Sequence, residues 1–256
     1  LGLTRNTQPA LLTHEIACLE VFRDLTGGKI KAALAAGHSL GEYSALVCSG
    51  ALDFADAIRL VEARGRFMQV AVPSGDGAMA AIIGLDNDVV AGVCKASAED
   101  QVVVPVNFNA PGQVVIAGSK PAVERAMVAC KESGARAVMP LPVSVPSHCE
   151  LMLPAANQLR VLLESTKVVM PTIPVVQNVD GKVAGSVNAI VSNLVAHLIE
   201  PVLWTQCVES IAASGVDLVI ECGPGKVLNG LSKRINKTLQ TASINNAALL
   251  AATLEQ

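Results

Sequence analysis

The chain has 256 residues, of which 51% are hydrophobic, 16% are charged and only 2% are aromatic. This composition excludes a mainly disordered protein and predicts a core of Ala, Val, Leu and Ile, which is typical of buried parallel strands covered by helices. The formal net charge of −3 excludes the large basic surface that sequence-independent binding of nucleic acid requires.

Cysteine usage and hydropathy indicate the compartment. The seven cysteines are odd in number and form no CxxC pair, which argues against a disulfide framework or a zinc site and favours a reducing compartment. No apolar run reaches membrane-spanning length without Gly, Pro or charge, and no signal peptide opens the chain. We therefore expect a soluble, cytoplasmic protein without a metal site or membrane contact.

The first part of the chain predicts, in order, a loop, a helix, a short strand and two further helices. Residues 1–6 are interpreted as loop, and a helical pattern follows from residue 7 to residue 25, where Gly27-Gly28 is a common helix stop. The apolar run 32–36 predicts a strand. Asp53 is expected to cap a helix that extends to residue 69.

A βαββαβ pattern is predicted for the middle of the chain, which is the order of a ferredoxin-like unit. Its strands are predicted at 78–83, 102–108, 113–117 and 136–139, and its helices at 86–96 and 121–133. Segments with Pro and Gly flank it on both sides. We therefore predict a subdomain at 75–143, inserted into a discontinuous core formed by residues 1–74 and 144–256.

Strands and helices alternate again in the last part of the chain. The predicted strands are 175–179 and 217–221, and the predicted helices are 187–199, 204–213 and 227–235. Together with the apolar composition, this order favours a core with a parallel sheet.

The most specific motif is G-x-S-x-G, at Gly37-His38-Ser39-Leu40-Gly41 between a predicted strand and a predicted helix. Its sharp turn holds the serine in a strained conformation, and glycine is expected on both sides because side chains there would collide with neighbouring backbone. We expect Ser39 to be a nucleophile and the N–H of Leu40 to donate to a developing oxyanion. The predicted fold class is α/β, an α/β-hydrolase-like core with a parallel sheet plus the ferredoxin-like insertion. A tight turn with an idle serine is the alternative.

A serine nucleophile needs a base, and the chain has four histidines. His14 falls on an early helix and His38 within the elbow. His148 follows the extended segment 141–145, and a loop at the end of a strand is a usual place for a catalytic base. His148 is therefore the favoured base, against the alternatives of a structural loop histidine and of His197 as the base.

Arg64 is the residue most informative about the substrate. Helical spacing places it among the apolar residues of its helix, namely Ala57, Leu60, Val61, Phe67 and Met68. A buried guanidinium needs an anionic partner. That partner is either a ligand carboxylate or an Asp or Glu of the chain itself.

Four segments resemble one enzyme family. GHSLGEYSA at 37–45, EARGRFMQ at 62–69, VSVPSH at 143–148 and the N-x-N-x-P-x-Q segment at 107–113 are similar to malonyl-CoA:acyl carrier protein transacylases of bacterial type II fatty acid synthesis. The resemblance extends from residue 7 to the GPGKVL turn at 223–228 and beyond.

This resemblance implies roles for the motif residues. Ser39 would carry the acyl group and His148 would be its base, while His38 flanks the serine among the substrate-binding residues and is not the base. The family orients the catalytic histidine with a backbone carbonyl, which falls here at His197, where the family usually has Gln.

The resemblance also implies a substrate and partners. Arg64 would grip the free carboxylate of malonyl-CoA, and the amides of Asn107 and Asn109 would line the cleft and reach the thioester or the neighbourhood of the base. The acyl acceptor would be the phosphopantetheine thiol of acyl carrier protein, for which we predict docking at Lys131 and Arg136. No cofactor is expected, because the CoA thioester is a substrate.

One departure from the family concerns the front of the chain. The family begins with a strand and a GQGSQ-like loop whose glutamine supplies a second oxyanion donor, and this sequence does not contain that segment. We expect the first core strand and half of the oxyanion hole to be missing, at a cost of about 10²–10³ in rate. A serine thioesterase or lipase, and a carrier-binding fragment without activity, are the alternative functions.

Overall fold

The computed structural model describes residues 2–143 and 145–246. The predicted core segment 144–256 therefore includes residues 144 and 247–256, which lie outside the described residues, as does residue 1. The helices of the described part are α1 (Thr4–Leu25), α2 (Gly41–Cys48), α3 (Phe54–Ala71), α4 (Asn87–Ala98), α5 (Lys120–Glu132), α6 (Leu153–Glu164), α7 (Val187–Ala196), α8 (Trp204–Ala213) and α9 (Val227–Ile235), with a 3₁₀ turn at Glu150–Met152. The strands are β1 (Ala35–Ala36), β2 (Gly77–Ile83), β3 (Val103–Ala110), β4 (Gln113–Ser119), β5 (Ala137–Pro140), β6 (Val175–Val176), β7 (Leu218–Glu221) and β8 (Gln240–Ser243).

The middle of the chain forms the predicted βαββαβ unit. Its four strands lie in the order β3-β4-β2-β5, and every neighbouring pair is antiparallel. Helices α4 and α5 pack on this sheet around a buried apolar cluster that includes Ile82, Val90, Ile116 and Val123. This strand order is that of a ferredoxin-like sheet. The boundaries of the subdomain at 75 and 143 stay a prediction.

The remaining strands are parallel, as predicted, but they form two separate pairs rather than one sheet. β1 pairs with β6, and β7 pairs with β8. A groove of about 960 Å³ lies between the two pairs and is lined by residues 33–37 and 217–222. Helices α1, α2, α3, α6 and α7 enclose the largest apolar cluster.

Helix α1 begins earlier than predicted. Residues 4–6, interpreted as loop, are helical, because the carbonyl of Leu3 accepts hydrogen bonds from the N–H groups of Asn6 and Thr7. Pro9, which suggested a helix start, lies inside α1. α1 packs closely on α3 at Gly65, where a Cβ would lie 2.6 Å from the Cα of Arg5.

The other predicted elements are largely confirmed. α8 and α9 have the predicted bounds, and the side chain of Asp53 caps α3 by accepting from the N–H groups of Ala55 and Asp56. The strand predicted at 32–36 is reduced to the two residues of β1. Helix α6 and strand β8 were not predicted, although Ala155, Ala156, Leu159 and Leu163 form a helical apolar pattern whose side chains are buried in α6.

The described part of the chain contains no helix with the length and apolar character needed to cross a membrane. All seven cysteines are free thiols. Among residues 2–143 and 145–246, no group of three or more His, Cys, Asp or Glu side chains is arranged to hold a metal ion.

Candidate active site

The G-x-S-x-G segment forms a sharp turn between β1 and α2. Ser39 has a φ of 52°, in the left-handed region that residues other than glycine rarely adopt. A Cβ at Gly37 would lie 1.9 Å from the carbonyl oxygen of Gly41, so the turn requires glycine at position 37. The same expectation is wrong for Gly41, where a Cβ would meet nothing within 4 Å.

Ser39 and His148 lie together although 109 positions separate them in sequence. Their Oγ and Nε2 atoms are 2.8 Å apart, and Nδ1 of His148 is 2.6 Å from the carbonyl oxygen of His197. A carbonyl oxygen can only accept a hydrogen bond, so Nδ1 carries the proton and Nε2 presents its lone pair to the serine hydroxyl. The arrangement is that of a base poised to take the serine proton.

Burial lowers the pKa of His148 to about 3, and the positive charge of Arg64 acts in the same direction. Because the imidazole stays neutral above that pKa, it remains able to accept a proton across the physiological range. His148 also has a φ of 65°, so both members of the Ser39–His148 pair occupy the left-handed region.

The lowered pKa of His148 predicts an acylation rate that does not fall between pH 8 and pH 5. A base with an ordinary histidine pKa of about 6.5 would instead lose about 30-fold over the acidic part of this range. Single-turnover acylation of Ser39, measured by rapid quench and intact mass, tests this. Circular dichroism at each pH must show a folded protein, and a decline centred near pH 6.5 would contradict the prediction.

The side chain of His197 is not placed as a base. Both of its ring nitrogens are buried without a hydrogen-bond partner among the described residues, and Nδ1 is 3.6 Å from Oε2 of Glu42. Burial lowers the pKa of His197 well below its ordinary value and raises the pKa of Glu42 to about 7. The pair is therefore not a stable ion pair, and His197 contributes its backbone carbonyl to the site.

Arg64 is buried as predicted, with 2% of its surface exposed. Nη1 donates to Oε1 of Gln8 at 2.6 Å, while Nε and Nη2 are buried without a hydrogen-bond partner among the residues that the structure describes. Within residues 2–143 and 145–246, Arg64 makes no salt bridge, so the alternative of an internal ion pair is not realised there. A buried guanidinium with unused donors is suited to an incoming anion.

The predicted accessory residues have different surroundings. Nε2 of His38 is 2.8 Å from Oδ1 of Asn109, and its ring lies against Trp204 with centroids 5.4 Å apart. Asn109 thus contacts the nucleophile elbow through His38, and its role toward the thioester or the neighbourhood of His148 stays a prediction. The amide of Asn107, 6% exposed, makes no hydrogen bond among the described residues, and neither does the N–H of Leu40.

Lys131 and Arg136, the predicted docking residues, are exposed at the end of α5 and just before β5. Docking of acyl carrier protein at these two residues stays a prediction.

Comparison with known proteins places the geometry in a family. The acyl transferase domain family matches residues 1–255. The malonyl CoA-acyl carrier protein transacylase of Escherichia coli strain K12 is 58% identical over 255 residues, which cover 100% of this chain and 82% of that protein. The chain belongs to the acyl transferase domain family.

Solved structures agree with the fold of this acyltransferase. An acyl carrier protein S-malonyltransferase from Vibrio cholerae O1 biovar eltor strain N16961 is 55% identical, with a TM-score of 0.93 over 98% of this chain and 81% of that one. A malonyl-transacylase in complex with a type II polyketide synthase acyl-carrier protein is also 55% identical, with a TM-score of 0.94 and the same coverage. The predicted α/β fold and the family resemblance are confirmed.

Three residues of this acyltransferase site were not predicted: Gln8, Glu42 and Asn178. Each is buried, and each bonds to a residue far away in sequence. Gln8 lies four residues before the buried Leu12 on the inner face of α1, and Asn178 lies two residues after Val176, the last residue of β6. A polar residue on an otherwise buried face was the available signal in both segments.

Proposed function

We propose that this protein transfers a malonyl group from malonyl-CoA to the phosphopantetheine thiol of acyl carrier protein through a covalent ester on Ser39. One observation carries the proposal. Ser39, His148 and the carbonyl of His197 form a continuous hydrogen-bonded chain, and the positive charge of Arg64, whose Nε and Nη2 have no hydrogen-bond partner among the described residues, lowers the pKa of His148. The names of the similar proteins support the same substrate and acceptor.

In the first half-reaction, Nε2 of His148 takes the proton of Ser39 as Oγ attacks the thioester carbonyl. The resulting oxyanion accepts a hydrogen bond from the N–H of Leu40. Collapse of this intermediate breaks the carbon–sulfur bond, and the imidazolium of His148 protonates the departing CoA thiolate. The product is a malonyl ester of Ser39 and free CoA.

The second half-reaction reverses these roles. Neutral His148 removes the proton from the carrier-protein thiol, whose sulfur attacks the ester carbonyl. Collapse breaks the bond to Oγ of Ser39, which recovers its proton from His148. The acceptor must be a thiol rather than water, so the site must exclude water while the ester waits.

Arg64 would hold the malonyl carboxylate through both half-reactions. Nε and Nη2 are its unused donors, and Nη1 is fixed by Gln8. Two parallel N–H donors match the two oxygens of a carboxylate. We further propose that the reaction takes place in the cytoplasm and needs no cofactor, because the thioester is itself an activated donor.

A serine hydrolase is the second candidate, because it shares the elbow. Such an enzyme would have a carboxylate behind its histidine and no buried cation to bind an anionic substrate. The carbonyl of His197 behind His148 and the buried Arg64 favour transfer over hydrolysis.

The decisive experiment is the intact mass of the protein after exposure to malonyl-CoA. We expect a gain of one malonyl group that disappears in Ser39→Ala and is released by added carrier protein as malonyl-carrier protein. Rapid free malonate without a stable adduct would instead indicate hydrolysis. Binding of carrier protein without any adduct would indicate a fragment without activity.

A further inference from the structure

The side-chain amide of Asn178 continues the hydrogen bonding between β1 and β6 at the point where the chain leaves β1 and enters the nucleophile turn. β1 and β6 pair in parallel at Ala35 with Val175 and at Ala36 with Val176. Beyond this point the backbone bends into the turn. Nδ2 of Asn178 donates to the carbonyl of Gly37 at 2.8 Å, and its Oδ1 accepts from the N–H of Ser39 at 2.7 Å.

We propose that Asn178 is a positioning residue for the nucleophile, which holds Ser39 in its left-handed conformation and thereby places Oγ against His148. One planar amide supplies both the donor and the acceptor that the two peptide groups around His38 require. Without it, the buried Gly37 carbonyl and the partly buried Ser39 N–H would lose these partners. The consequence for acylation rests on the proposed function.

Asn178 is itself fixed from both sides. Its side chain is fully buried, its N–H donates to Oε2 of Glu42 at 2.9 Å, and its carbonyl accepts from the N–H of Leu203 at 2.8 Å. Glu42 also accepts from Nε2 of Gln177 at 3.1 Å. Because Glu42 lies three residues after Ser39 on α2, these bonds close a ring that runs from the nucleophile through α2 to Asn178 and back.

The two hydrogen bonds from the side chain at position 178 require an amide. A carboxylate at position 178 could accept from the Ser39 N–H, but its second oxygen would face the Gly37 carbonyl without a proton between them. A protonated carboxyl would again supply one donor and one acceptor. The Asn178→Asp variant should therefore be impaired when ionised and restored when protonated.

The test compares single-turnover acylation of Ser39 in the parent and in Asn178→Asp between pH 8 and pH 5. We expect a loss of about 10²-fold at pH 8, the penalty for a nucleophile displaced by about 1 Å, and recovery of most of it at pH 5. Affinity for malonyl-CoA, measured in a Ser39→Ala background, should change less than about twofold, because a positioning residue does not contact the substrate.

Other titratable or charged groups near Asn178 are shared by the parent, so its own pH profile accounts for them. They are Glu42, which accepts from the N–H of Asn178, and the groups linked to it or to the nearby histidines by electrostatic interactions, namely Arg64, Asp180, Cys207, His38, His148 and His197. A recovery of the acylation rate on acidification that appears only in Asn178→Asp is therefore due to protonation of the carboxyl introduced at position 178. A merely structural role for the amide would not produce it.

Asn229→Asp is the matched control. Asn229 is also a buried asparagine, and its Nδ2 donates to the carbonyl of Ala242 and to Oγ of Ser243, away from the elbow. An equal loss of acylation in both variants, or an unchanged rate in Asn178→Asp, would overturn the proposal.

Two further measurements keep the outcome clear. If Asn178→Asp does not fold at pH 8, then Asn178→Ser, which keeps a small polar group, is compared with Asn229→Ser in the same assay, and equal rates again overturn the proposal. If the parent itself forms no malonyl ester, the proposed function fails. The labelling rate of Ser39 by phenylmethanesulfonyl fluoride then tests the role of Asn178, with the same slowing expected in Asn178→Asp.

Discussion

Replacing His148 with alanine is expected to slow acylation of Ser39 by about 10⁴- to 10⁶-fold, because an unassisted hydroxyl is a poor nucleophile. Nε2 of His148 lies 2.8 Å from Oγ of Ser39, within hydrogen-bond distance. The second buried imidazole, that of His197, has no hydrogen-bond partner in the described part of the chain through which it could substitute. Rapid-quench intact mass with malonyl-CoA measures the rate.

His14→Ala is the control for this experiment, since His14 is an exposed histidine on α1 outside the site. It should acylate at the parental rate. The thermal unfolding midpoint of His148→Ala must remain above the assay temperature, so that a loss of rate reports chemistry. A loss smaller than about tenfold would mean that another group takes the serine proton.

Replacing Arg64 with methionine is expected to lower malonyl transfer by about 10- to 150-fold, the equivalent of a charged hydrogen bond worth about 1.5–3 kcal/mol. Acetyl transfer should not fall, because an acetyl group has no carboxylate for the guanidinium to bind. Methionine keeps most of the side-chain volume, so the comparison removes the charge without opening a large cavity. The ratio of malonyl to acetyl acylation rates is the measurement.

Arg66→Met provides a matched control on the same helix. Arg66 is exposed and lies on the outer face of α3. Its replacement should leave the malonyl-to-acetyl ratio unchanged. The Arg64 variant should be at least as stable as the parent in thermal unfolding, because a buried cation without an ion pair is costly to the fold. Equal losses of malonyl and acetyl transfer would refute the carboxylate role.

Local patterns were sufficient for most of the fold. Apolar periodicity with Gly and Pro punctuation predicted the βαββαβ unit, and the actual bounds of α8 and α9 were predicted. The predicted bounds are wrong where tertiary contacts determine the residue at which an element begins or ends. α1 starts at Thr4 and tolerates Pro9 inside it, while β1 keeps only the two residues that pair with β6. α6 was missed although its buried positions follow a helical repeat.

The site residues also divide into those that the local sequence indicates and those that it does not. Ser39, His148 and Arg64 could be proposed because each lies in a distinctive local sequence. Gln8, Glu42 and Asn178 could not, because their importance depends on partners 56 to 139 positions away. Nothing in the sequence around Asn178 specifies that its amide meets the Ser39 turn. Such pairings are set by the packing of the whole core.

The position of Arg64 has a consequence for when the enzyme becomes active. Its charge makes it harder for His148 to become an imidazolium, and the histidine is backed by a neutral carbonyl that cannot offset a new positive charge. A malonyl carboxylate seated on Arg64 would cancel that repulsion and strengthen the base at the moment the thioester arrives. Binding of a malonyl group would thus make His148 a stronger base than binding of an acyl group without a carboxylate. Selectivity for malonyl-CoA would therefore appear in the acylation rate as well as in the binding affinity.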